Sequence, residues 1–194
     1  VIAMRKIPEV RDDFALRGRC EVYRADLKSM ASANRLHQGV NLRGHQVWAT
    51  YEHFQDLLVI RGIPADEDLL DIVDFFSTNS DPNIFKERHA LSQSEFRKLV
   101  QPLIITGHIV QDFRGGFRTV TPNSTIDPIE LRKEYLRNMV KEYPIITLKQ
   151  FMRLAGTPFK PEEIKSVLNS FEEDGTLIKG FLIEDLHEVC WGLS

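Results

Sequence analysis

The chain has 194 residues, 42% of them hydrophobic and 27% charged, with a net charge of −3. That is ordinary globular composition with room for one large or two small cores, and no apolar run approaches the roughly 20 residues that span a bilayer. The two cysteines, Cys20 and Cys190, lie far apart without CxxC spacing, so neither a disulfide framework nor a zinc finger is expected.

The opening residues VIAMRKIPEV lack the charged start and long apolar run of a signal peptide. A cytoplasmic location is expected, or a nuclear one in a eukaryote, and the initial Val1 suggests a piece of a longer protein. Residues 1–44 form a basic segment with nine Lys/Arg against five Asp/Glu; residues 45–194 carry sixteen against twenty-three. A basic part joined to an acidic part fits an anionic partner for the first and a protein partner for the second, and equally fits solvated charge. Within 1–44, CEVYRADL reads as a strand and VRDDFALRGR as a helical turn, but no fold is assigned to them. Residues 45–63 read as a connecting amphipathic helix with Val47, Trp48, Tyr51, Phe54, Leu57 and Leu58 inward, closed by Gly62.

The remainder is organised by a repeat. LVQPLIITGHIVQDF (99–113) matches VLNSFEEDGTLIKGF (167–181) without a gap in its apolar positions, and Gly107 meets Gly175. In the first copy, residues 64–122, a helix starts after Pro64 with acidic Asp66, Glu67 and Asp68 in its first turn. A short helix from about Ile84 follows, and Ser92 with Glu95 forms an S-x-x-E capping box for the third. Pro102 either kinks that third helix or ends it near Gln101. HIVQDF and FRTVTP then flank Arg114, Gly115 and Gly116 as a hairpin. In the second copy, residues 123–194, Asp127 and Pro128 start one helix and Pro144 ends it. Thr147 caps the second helix, Pro161 opens the third, and TLIKGFLI and EVCWGL are strands joined by EDLH. Three helices and a hairpin, twice, predict an α+β, mostly helical chain of tandem winged-helix modules.

A winged helix binds nucleic acid through the outward side of its third helix and through its wing. Phosphates are held by Lys and Arg, and base edges are read by Arg, Lys, Asn, Gln and Ser. With Phe96, Leu99, Val100 and Leu103 inside, the first module presents Gln93, Ser94, Arg97, Lys98 and Gln101, all hydrogen-bond donors. The wing adds Arg114 and Arg118 beside Phe113 and Phe117, unless Phe117 packs inward. The third helix of the second module shows Glu162, Glu163, Glu172, Glu173 and Asp174, which suits protein packing better than a phosphate backbone. The chain has no phosphate-binding loop, HExxH or GxSxG, and its six histidines lack metal spacing. Accordingly no catalytic residue, cofactor or metal is expected.

EEDGTLIKGFLIEDLHEVCWGL resembles winged-helix segments in the C-terminal parts of large helicase-related (Lhr-type) superfamily 2 helicases. The shared shape is a glycine, an apolar pair, Lys-Gly-Phe, a short acidic turn and a strand ending in Trp. LVQPLIITGHIVQDFRGGFRTV looks like the preceding module of the same region. The resemblance covers about residues 46–194 and implies an accessory part of an ATP-driven DNA translocase, without its ATPase motifs. The expectation is therefore a non-enzymatic region that binds duplex or single-stranded DNA, with other domains or protein subunits as further partners and no membrane. A protein-interaction scaffold is the alternative. A dimeric transcriptional regulator ranks last, because no long dimerisation helix follows the second wing.

Overall fold

The computed structural model describes residues 10–11, 29–33, 35–122, 127–141, 143, 145–156, 158–180 and 187–194. The expected strand CEVYRADL, most of VRDDFALRGR, Cys20, Pro144, and all of the EDLH turn except His187 lie outside them. The fold is α+β with two antiparallel sheets, and the chain divides into two compact units, residues 1–123 and 124–194.

In the first unit, Asn41 closes a hairpin between β2 (His37–Val40) and β3 (Gln46–Ala49). Its side-chain oxygen accepts from the backbone N–H of Arg43 at 3.0 Å and of His45 at 2.9 Å. This corrects the expectation of one helix over 45–63. Val47 and Trp48 belong to a strand, and helix α1 (Tyr51–Arg61) begins only after Thr50, whose hydroxyl accepts from His53 N–H. The apolar spacing at 47, 48, 51 and 54 fits either element, and the threonine cap decides where one ends. Gly62, at φ 60°, terminates α1 in the left-handed conformation.

A 3₁₀ turn (Glu67–Leu69) leads into α2 (Leu70–Thr78), followed by α3 (Pro82–Arg88) and α4 (Gln93–Thr106). The Ser92–Glu95 capping box forms reciprocally at the start of α4. The helix continues through Pro102, and Gly107 ends it at φ 88°. Strands β4 (Ile109–Gln111) and β5 (Phe117–Thr119) follow. They do not stand alone as a hairpin. β4 pairs with β2 through Gln38 and Gln111, giving a five-stranded sheet of order β1-β3-β2-β4-β5, where β1 is Val10–Arg11.

Paired residues share a face and successive residues alternate. Ile109 and Phe117 therefore face the helices and join Phe76, Phe85, Phe96, Val100 and Leu103 in one core. Val110 and Arg118 face the opposite way. On that opposite face α1 packs so closely that a Cβ on Gly39 would lie 2.6 Å from the Phe54 ring. Three helices thus cover one side of the sheet and α1 the other.

The second unit holds α5 (Pro128–Lys141), β6 (Ile145–Thr147), α6 (Leu148–Ala155), α7 (Pro161–Glu173), β7 (Leu177–Gly180) and β8 (Cys190–Leu193). Asp127 caps α5 through Ile129 N–H at 2.9 Å, and Thr147 with Gln150 forms a capping box on α6. The inner face of α7 is Ile164, Val167, Leu168 and Phe171, all buried. Its sheet has the order β6-β8-β7. The aligned segments share a backbone course: a helix, a left-handed glycine (Gly107 at 88°, Gly175 at 75°) and a strand.

Candidate nucleic-acid interface

The apolar face of α4 buries Phe96, Val100 and Leu103, which turns its other residues outward. Gln93, Ser94, Arg97, Lys98 and Gln101 are all exposed. Arg97 and Lys98 make no ion pair among the described residues. Gln93 is engaged from the neighbouring helix, accepting from Lys86 Nζ at 2.7 Å. Lys86 therefore joins this surface; it sits on α3, so the periodicity of α4 alone does not reveal it. One acidic group, Glu95, also lies here. Its hydrogen bonds from the Ser92 hydroxyl and backbone hold its carboxyl below the usual range, so it stays ionised.

The β4–β5 turn is ordered by Asp112, whose carboxylate accepts from the backbone N–H groups of Arg114 and Gly116, both at 2.8 Å. Arg114 is exposed at its tip. Phe117 N–H donates to Ser80 O at 2.8 Å, and a Cβ on Gly116 would lie 3.0 Å from the same carbonyl. The tip is therefore tied to the α2–α3 connection. Phe117 is buried, and Phe113 is partly exposed beside the Trp48 ring.

Arg118 is exposed but lies on the sheet face away from the three helices. Its guanidinium sits 3.8 Å above the centre of the Tyr51 ring. The Tyr51 hydroxyl donates to Thr119 O at 2.9 Å and accepts from Thr121 N–H at 3.1 Å, which anchors the end of the side chain. Thus α4 carries five of the seven predicted residues and the turn a sixth, and Arg118 lies on the sheet face opposite to α4.

Two buried histidines belong to the same unit. His37 is only 3% exposed and its ring meets Tyr51 edge-on, and His108 contacts the Thr106 hydroxyl at 2.8 Å. Burial lowers the pKa of His37, helped by Arg118 and opposed by Asp112 and Glu52. Burial also lowers that of His108, with Arg61 adding to it. The unfolded chain, with histidines near 6.5, then binds more protons than the fold as pH falls below that value. The histidine contribution to stability is complete above about pH 6.5 and declines as pH drops toward the folded values. Urea midpoints for residues 1–123 should be lower at pH 5.5 than at pH 7.5, and a His37→Gln, His108→Gln variant should flatten that difference. An equal pH dependence in wild type and variant would refute this.

In the second unit, much of the expected acidic surface is paired. Arg132 grips Glu163 at both oxygens (2.6 and 2.7 Å), donates to Pro158 O at 2.6 Å and stacks over Phe159. The Arg132 hydrogen bonds hold the Glu163 carboxyl below its usual range. Arg137 pairs with Asp174 at 3.5 Å and Lys179 with Glu172 at 3.7 Å. Glu162 and Glu173 remain exposed, so the outward side of α7 is mixed with an acidic excess. Among the described residues no group of His, Cys, Asp and Glu is placed to hold a metal, and no helix is long and apolar enough to cross a membrane.

No family model matches the chain, and no curated protein matches it. Among solved structures it is similar to the DNA glycosylase AlkZ of Streptomyces sahachiroi, with a TM-score of 0.67 and 11% sequence identity. The match covers 96% of this chain and 62% of that one, so the chain spans less than two thirds of the length of its structural neighbour. At this identity the likeness is one of fold. It corrects the helicase resemblance: the segment EEDGTLIKG forms a helix, glycine and strand junction that the first unit also builds, so it does not single out that family. It also corrects the expectation of a chain with no enzymatic part, because the protein matched over nearly the whole chain is an enzyme.

Proposed function

We propose that this chain is the DNA-holding part of a DNA-repair enzyme of the glycosylase kind, built as tandem winged-helix modules. The observation that carries the reading is the outward face of α4, where Arg97 and Lys98 stand exposed among hydrogen-bond donors, outside any ion pair among the described residues. Arg97, Lys98 and Arg114 contact backbone phosphates, and Gln93, Ser94 and Gln101 lie toward base edges. The fold likeness to a DNA glycosylase supports DNA as the partner and repair as the setting. The mixed, acidic side of α7 makes the second unit a poorer match for a phosphate backbone, so DNA contact is assigned to the first.

The test is affinity for duplex DNA at two salt concentrations. Deleting one phosphate-binding cation takes about one unit off the salt slope. The Arg97→Ala, Lys98→Ala variant should bind about tenfold more weakly and lower the slope by about two, with its thermal stability unchanged because both side chains are exposed. An unchanged slope would exclude α4 as the DNA-binding face. Incubating the chain, and any longer protein containing it, with duplex carrying damaged bases, followed by alkaline cleavage at abasic sites, tests the glycosylase setting directly.

A further inference from the structure

We propose that Arg118 and Tyr51 form a stacking shelf for an unpaired nucleobase, on the face of the sheet opposite to α4. The inference takes DNA binding from the preceding reading and is independent of the α4 residues.

The shelf is rigid underneath and open above. Tyr51 starts α1 and is held by its hydroxyl between Thr119 O and Thr121 N–H, which anchors the far end of the side chain. The Arg118 guanidinium carbon lies 3.8 Å from the centre of that ring, and the residue as a whole is exposed. No carboxylate pairs with Arg118 among the described residues. The tyrosine ring therefore backs the guanidinium on one side, and the exposure of the residue leaves the group accessible to solvent. A planar cation already stacked on an aromatic ring offers its free face to a further π system, and a nucleobase is such a system.

Local charge favours a base over a phosphate. Glu52 and Asp112 act on neighbouring His37 with a sign opposite to that of Arg118, so the surroundings are not a positive well. A backbone phosphate would gain little there, whereas a neutral base face gains from stacking regardless of net charge. The buried His37 ring packs edge-on against the same tyrosine, 5.8 Å between ring centres. Among the described residues β5 is the edge strand of the sheet, with no strand beyond it on that side. A base displaced from a duplex, or one in a single strand, presents the free face that the shelf requires.

The experiment uses the full chain and a single-stranded oligonucleotide carrying 2-aminopurine, with an unmodified duplex measured in parallel. Stacking should quench the 2-aminopurine fluorescence on binding. Arg118→Lys keeps the charge and removes the plane; Arg118→Gln removes the charge. Both should abolish the quenching and weaken single-strand binding by about tenfold, while duplex affinity stays within about twofold. If Arg118→Lys retains wild-type affinity and quenching, the interaction is a charge on phosphate and the shelf is refuted. If neither variant changes single-strand binding, it is refuted as well. Failure of the Arg97 and Lys98 substitutions to affect duplex binding, alongside a positive Arg118 result, would remove α4 from the DNA interface and leave the shelf standing.

Discussion

Replacing Arg61 by Ala should destabilise residues 1–123 by about 4.5 kcal/mol, taking three charge-assisted hydrogen bonds at roughly 1.5 kcal/mol each. Arg61 closes α1, and its guanidinium reaches three backbone carbonyls in two distant parts of the chain. It donates to Thr106 O at 3.2 Å, to Asn41 O at 2.9 Å and to Val40 O. These join the β2–β3 hairpin, α1 and the end of α4. The Thr106 carbonyl belongs to the negative end of the α4 dipole, which favours a cation there. Gly107 leaves the room: a Cβ at that position would collide with the guanidinium. Urea denaturation of a Trp191→Phe background, monitored by tryptophan fluorescence, reads the effect at Trp48. Arg61→Lys should recover only part of the stability, because one ammonium cannot span three acceptors. A drop below about 1 kcal/mol for Arg61→Ala would show that water replaces the guanidinium adequately.

Phe117→Ala should cost a similar amount, about 4 kcal/mol, the range for deleting a buried phenylalanine. Phe117 is 9% exposed, with its ring centre 5.4 Å from that of Phe76 and 5.8 Å from that of Phe96. It closes the core over the helices, and its removal leaves a void between Phe76 and Phe96. DNA affinity of the folded fraction should be unchanged, since a buried ring touches no ligand. Phe113→Ala offers the contrast. That side chain is partly exposed beside Trp48, so it should cost about 1 kcal/mol or less. If Phe117→Ala weakened binding of a still-stable protein, the assignment of this ring to the core would be wrong.

These variants also separate what is legible in the sequence from what is not. Local signals are legible. The Ser92–Glu95 box, the Thr147 cap, the glycines after the third helices and the apolar face of α7 all depend on residues within a few positions of one another. The outward face of α4 follows from the same periodicity. The sheet is far less legible. Its hairpin is hinted at by Asn41 and Gly44 between HQGV and HQVWA, but Val47 and Trp48 also fit a helical stripe. The pairing of Gln38 with Gln111 has no local signal at all, and without it the β4–β5 hairpin looks like a free wing.

The starts and ends of most helices and their inward and outward faces are set by short-range chemistry, namely caps, periodicity and glycine conformations. That chemistry acts over a turn or two of chain and is visible in any sequence. What Arg61 and Arg118 do is decided elsewhere. Arg61 becomes an internal brace because α1 ends beside Thr106, 45 residues away in sequence. Arg118 becomes a tyrosine-backed cation on the far side of the sheet because strand alternation turns it away from Phe117 and toward α1. A charged side chain reads the same in sequence whether it meets water, a carbonyl or an aromatic face. Only the packing of distant segments selects among them.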